Sequence, residues 1–205
     1  MPRSPYYQGM NSMVRDLPRA DRSRLSAADW ERAALEAIAE QGVSALNVEG
    51  LARSLGVTKG SFYWHFPSRE ALLDAALKRW ESDVERELTT EAETPTDPRQ
   101  RLRELFRRIA HEVQPHRVYA ALLRAIDHAK IQSLMARISQ RRMDFLALAY
   151  RQAGLERAAA AHRARLTYAA YVGFLQMNVH LGVSRLNQAD YEAYVEHVID
   201  TLIGG

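Results

Sequence analysis

The sequence predicts an all-α protein, on three observations. Alanine, leucine, arginine and glutamate dominate the 205 residues, no long β-branched alternation occurs, and apolar residues recur at three- and four-residue steps almost throughout. A chain this long holds one large domain or a small domain joined to a larger one, and either can bury an adequate core. No run of about 18 apolar residues is present, and residues 1–26, MPRSPYYQGMNSMVRDLPRADRSRLS, lack the apolar middle of a secretory signal, so a cytoplasmic location is expected. The absence of cysteine excludes disulfides, thiolate nucleophiles and Cys-based zinc sites. The net charge of +3 is unevenly spread: residues 99–165 carry 15 Lys and Arg against 5 Asp and Glu, residues 1–68 only 8 against 7. Any nucleic-acid role of the first block must therefore rest on placed contacts rather than bulk basicity.

Residues 1–26 read as a flexible basic arm, with Arg3, Arg15, Arg19, Arg22 and Arg24, and with Pro2, Pro5 and Pro18 against helix. Ser26 can cap a first helix carrying Trp30, Ala33, Ala34, Ala37 and Ile38 at helical spacing, and Gly42 stops it. Asn47 can cap a short second helix in which Leu51, Ala52 and Leu55 point inward before Gly56. Thr58 can cap a third, running to about His65. Pro67 disfavours α geometry at Phe66, and Ser68 caps a long fourth helix beginning REALLDAALKRW. TTEAETPTDP, residues 89–98, reads as the clearest linker. Helices are expected at about 98–113, 117–129, 131–152, 156–181 and 188–203, separated by Pro115, Gly154 and the GVSRLNQAD loop. About nine helices result.

The stretch VTKGSFYWHF, residues 57–66, holds four aromatic rings. With Lys59 at zero and about 100° per residue, Phe62 falls near 300° and Phe66 near 340°, which makes one core face. Gly60, Ser61 and Trp64 fall on the opposite strip, and Tyr63 and His65 flank the core. A glycine inside a helix costs roughly 1 kcal/mol against alanine, so close approach of another surface is the expected compensation. Two short helices about a Gly56 turn make a helix-turn-helix with the third helix as reading element. Thr58 and the helix start suit a phosphate, Lys59 a phosphate or guanine edge, and Gly60 close backbone approach. Ser61 suits a base or phosphate, Trp64 a thymine methyl or sugar, and Tyr63 and His65 the phosphates on either side.

Residues 45–77, ALNVEGLARSLGVTKGSFYWHFPSREALLDAAL, closely resemble the DNA-binding region of TetR-family transcriptional regulators. The resemblance covers about residues 27–80. It implies that Lys59, Gly60, Ser61, Tyr63, Trp64 and His65 face DNA and that Arg69 contacts phosphate. Asn47 stands where serine or threonine is usual, which keeps a capping oxygen but changes its reach to phosphate. The resemblance further implies a homodimer, an operator of approximate two-fold symmetry, and a C-terminal domain that binds a small molecule to alter DNA affinity. The expected organisation is an arm over 1–26, a DNA-binding domain over 27–68 and a regulatory and dimerisation domain over 69–205.

Beyond the motif the residues are less specific. RLTYAAYVGFLQMNVHLGV, residues 165–183, is apolar nearly all round, as suits a helix buried on two sides, one of which can be a dimer partner. The last helix carries Tyr191, Tyr194, Val195, Val198, Ile199 and Leu202 on one stripe, a candidate subunit interface. Phe106, Tyr119, Leu122, Phe145, Tyr168, Tyr171 and Phe174 are candidates for a ligand pocket, with plain core packing as the ordinary alternative. His111, His116, His128, His162, His180 and His197 show no helical pair with a nearby carboxylate, so no metal is expected. No cofactor motif and no nucleophile with a base at interpretable spacing occurs, so an enzyme is not expected. The expected function is a regulator released from a palindromic operator by a small molecule, with an activator or a ligand-independent regulator as the alternative.

Overall fold

The computed structural model describes residues 25–92, 97–111, 113–177, 181–182 and 186–203, with 87–92 and 113–115 as backbone only. The expected arm, apart from Leu25 and Ser26, lies outside the described residues, as do 93–96 of the expected linker and His180. Among the described residues there is no strand. The helices are α1 (Ala27–Gln41), α2 (Val48–Leu55), α3 (Lys59–Tyr63), α4 (Arg69–Ala92), α5 (Pro98–His111), α6 (Val113–Arg124), α7 (Ala129–Gln152), α8 (Arg157–Leu175) and α9 (Gln188–Ile203), with a 3-10 turn at Val43–Ala45 between α1 and α2.

Local chemistry explains most of the boundaries. At the start of α1 the Asp29 carboxylate accepts from the Ser26 backbone N–H at 2.7 Å and from its hydroxyl at 2.6 Å. Gly56 closes α2 in the left-handed region at φ 70°, where a Cβ would be strained. Ser68 Oγ accepts from the Ala71 N–H at 3.1 Å and so caps α4. One boundary departs from expectation: α6 begins at Val113 rather than about 117 and runs through Pro115. Proline there occupies the first turn, where no N–H has an intrahelical acceptor, so it costs no hydrogen bond.

The apolar faces make two clusters. The first joins α1 to α4 with α6 and α7, through Trp30, Phe62, Leu73, Trp80, Leu122 and Ile138. The second joins α5, α7, α8 and α9, through Leu102, Tyr150, Ala164 and Ile199, and Tyr168 packs against both. Both α4 and α6 lie against α1, so the small amino-terminal unit shares its core with the helices that follow.

Charged pairs record helix directions. Lys130 meets Asp74 at 2.7 Å, Arg137 meets Glu81 at 3.2 Å and Arg141 meets Glu85 at 2.6 Å. A constant offset between the paired positions makes α4 and α7 parallel. Arg103 meets Asp200 at 2.8 Å and Arg107 meets Glu196 at 2.6 Å, so α5 and α9 are antiparallel. Exposed pairs of this kind are weakened by solvent screening, so they set register more than stability. Several arginines of the basic 99–165 block thus bridge helices.

Candidate DNA-reading helix and effector cavity

The division of rings on α3 follows from its winding. The α-helix spans five residues only, yet the Phe66 N–H still donates to the Phe62 carbonyl at 3.0 Å, so Trp64, His65 and Phe66 continue the same turn. Phe62 is fully buried and packs edge-on against Trp30, with ring centres 5.3 Å apart, and stacks on Phe66 at 5.8 Å. Trp64 is 89% exposed and Tyr63 55% exposed. Thr58, Lys59 and Gly60 are exposed, while Ser61 and His65 are half-buried. The Thr58 hydroxyl makes no capping bond. Nothing in the fold demands Gly60: a Cβ there would meet its nearest atom, Thr58 Oγ1, at 3.6 Å, an ordinary contact.

Asn47, which is exposed, and Arg69, which is half-buried, both hydrogen-bond to backbone groups of the protein itself. Asn47 Oδ1 accepts from the Gly50 N–H at 2.6 Å, and its Nδ2 donates to the Ala45 carbonyl at 3.0 Å. Gly50 makes room for this cap, since a Cβ there would stand 2.9 Å from Asn47 Oδ1. Arg69 donates through Nε to the Leu46 carbonyl at 2.7 Å and through Nη2 to the Val43 carbonyl at 3.0 Å, and pairs with Glu70. Its guanidinium thereby fastens α4 to the turn that precedes α2. The phosphate contacts that the resemblance implies for these two side chains use groups already bonded within the protein.

A second feature lies among α5, α6, α8 and α9: a cavity of about 630 Å³, counting its open mouth. Of the pocket candidates, Phe106, Tyr171 and Phe174 line it. Tyr119 and Leu122 are instead fully buried core residues, Tyr168 hydrogen-bonds to Tyr119 and donates to Ser139 Oγ at 2.7 Å, and Phe145 is half-buried outside the lining. The candidate interface stripe turns inward as well. Tyr191, Tyr194, Val195, Val198, Ile199 and Leu202 all line the cavity, because the α5 pairs with Asp200 and Glu196 fix α9 with its apolar stripe toward its own protomer.

His116 lines the cavity too, and the sequence marks it only as a histidine unsuited to metal. Its Nε2 faces the Ile109 carbonyl, which can only accept, so that nitrogen carries the proton. In the neutral ring Nδ1 then accepts from the Tyr171 hydroxyl at 2.7 Å. The Tyr191 hydroxyl donates to the Ala110 carbonyl at 2.7 Å. Burial, with the nearby Tyr194 hydroxyl second, pushes Tyr191 above the ordinary phenol range. Burial likewise raises Tyr119 and Tyr150. These hydroxyls remain neutral at physiological pH. The Arg142 guanidinium sits 4.9 Å from the Tyr119 ring centre and 5.7 Å from that of Tyr171.

Residues 32–76 match the family model described as bacterial regulatory proteins, tetR family. The chain is 38% identical over 74 residues to the transcriptional regulator AcrR of Shigella flexneri, covering 36% of this chain and 34% of that one. It is 34% identical over 86 residues to the regulator EthR of Mycobacterium tuberculosis, covering 40% of each. These matches span well under half of the curated relatives' own lengths. The fold extends further: a transcriptional regulator from Rhodococcus sp. Rha1 superposes with a TM-score of 0.68 at 22% identity, over 88% of this chain and 95% of that one. Among the described residues no helix is long and apolar enough to cross a membrane. Residues 32–76 thus form an amino-terminal domain of the kind found in the tetR family of bacterial regulatory proteins.

Proposed function

We propose that the chain is a sequence-specific DNA-binding transcriptional repressor, released from a palindromic operator by a small molecule that enters the cavity. One observation carries the DNA-binding reading: a fully exposed tryptophan and a half-exposed tyrosine flank a glycine that the fold itself does not require. A large ring left in water is unfavourable unless a partner covers it, and bare backbone at Gly60 suits a groove wall. On this reading Lys59, Ser61 and Trp64 reach base edges or sugars, and Thr58, Tyr63 and His65 reach phosphates. Asn47 and Arg69 act at one remove, by holding α2 and the start of α4.

Residues 27–68 serve as the DNA-binding unit and 69–205 as the regulatory and dimerisation unit. Two copies present their α3 helices to successive major grooves about 34 Å apart. An effector in the cavity favours a pose in which that spacing no longer matches. Footprinting on the DNA upstream of the protein's own gene tests this, and a protected symmetric site whose affinity falls steeply with salt is expected. Absence of any symmetric protection at low salt would sink the proposal. Lys59→Ala and Tyr63→Ala should each weaken binding without lowering the melting temperature, and unchanged affinity in both would remove these residues from the interface.

A further inference from the structure

We infer that the cavity selects a lipophilic organic cation, such as an aromatic quaternary ammonium, over neutral or anionic molecules of the same shape. The inference rests on the effector reading above and deepens it. Six rings face the cavity: Phe106, His116, Tyr171, Phe174, Tyr191 and Tyr194. No Asp, Glu, Lys or Arg occurs among its described lining residues, and neither Arg108 nor Arg142 belongs to them. An anion would need donors, and those of the wall's side chains other than Thr167 and Tyr194 are committed. The His116 Nε2 proton goes to the Ile109 carbonyl, the Tyr171 hydrogen to His116 and the Tyr191 hydrogen to the Ala110 carbonyl.

What the wall offers instead is ring area. Phe174 lies between Tyr191, at 5.9 Å, and Tyr194, at 5.6 Å and nearly parallel to it, so the three form a continuous aromatic surface. The faces of such rings carry negative potential and attract a cation, most strongly one poorly solvated by water. The fold already uses this attraction, since Arg142 is held over Tyr119 and Tyr171. A quaternary ammonium asks for no hydrogen bonds, which suits a wall with few to give. Its charge is spread over carbon, so entering an apolar space costs it less than an ammonium or a carboxylate.

The test uses the intact protein and three molecules: phenyltrimethylammonium, its neutral carbon isostere tert-butylbenzene, and 4-tert-butylbenzoate, which adds a carboxylate to that isostere. Binding is measured by calorimetry and by thermal shift. The cation should bind about tenfold tighter than the neutral isostere, a ratio within the range of ring-face attraction, and the benzoate should bind most weakly. Phe174→Leu keeps an apolar wall and removes one ring face. It should weaken the cation several-fold and leave tert-butylbenzene nearly unchanged. If the neutral isostere or the benzoate binds as tightly as the cation, the charge preference is wrong and the effector cavity stands. Failure of all three to bind would remove the effector reading along with it.

Discussion

Gly60 is the residue whose two roles can be pulled apart. Its place in the first turn of α3 leaves room for a methyl group, with Thr58 Oγ1 at 3.6 Å as the nearest neighbour. Gly60→Ala should therefore stabilise the protein, by up to about 1 kcal/mol from helix propensity alone. The same methyl stands on the strip shared with Ser61 and Trp64, where the groove wall would come closest. DNA affinity should fall by about tenfold or more, a loss of roughly 1.4 kcal/mol. Melting curves and gel retardation on the same preparation read the two effects, which have opposite signs. A variant that is more stable and binds DNA undiminished would show that no surface approaches Gly60. Such a residue was legible in sequence because its argument is local: a helical wheel needs only the 3.6-residue period. Arg69 was not, since the Val43 and Leu46 carbonyls that hold it lie 26 and 23 residues away.

At the scale of elements, α1 supplies the surface on which α4 and α6 rest, so its amino-terminal cap bears on both units. The Ser26 bonds hold the Asp29 carboxyl below its ordinary value of 3.8. A carboxylate whose folded value is lowered stabilises the fold above its unfolded value and loses that contribution as pH falls through the folded one. Asp29→Ala should thus destabilise the protein at pH 7 by about 1 kcal/mol, a melting shift of roughly 2–4 °C. The difference from the parent should shrink as the pH is lowered below about 4. Equal destabilisation at pH 7 and pH 3 would show that the cap's charge is irrelevant. The elements also show which boundaries sequence can carry. Caps and left-handed glycines placed α1, α2 and the start of α4, because each acts within four residues. Pro115 reads as a separator in sequence because the same residue breaks a helix interior and is tolerated in a first turn, and only the backbone decides between them. The α9 stripe was periodic and apolar, as expected, but periodicity does not say whether the covering surface belongs to the same chain or to another copy. Its inward direction depends on Arg103 and Arg107, about 90 residues earlier.

For the whole molecule, that inward turn shifts the question of dimerisation to the outer face of α8. On α8 Leu166 is 57% exposed, Ala169 is exposed and Gly173 half-buried, and Met177, two residues past the helix end, is 42% exposed. On the other side of α8, Ala160, Ala164, Thr167 and Leu175 are buried against the protomer. Helix α8 is thus covered on one side and bare on the other, as a helix shared between two copies would be. Two-fold pairing across this face would let one rigid body present both α3 helices to a symmetric site. Linking two half-site contacts in that way raises overall affinity by about 10² to 10⁴ over a single contact. Leu166→Glu places a charge at the centre of the bare face and leaves the buried side untouched. Light scattering should show a dimer for the parent and a monomer for the variant. Operator affinity should fall toward that of a half-site, while the melting behaviour of the folded protomer and cation binding in the cavity persist. A variant that remains dimeric would move the interface to other exposed apolar residues, with Leu148 on α7 next in line at 54% exposure. A parent that is itself monomeric at micromolar concentration would remove the geometric basis for reading a palindrome.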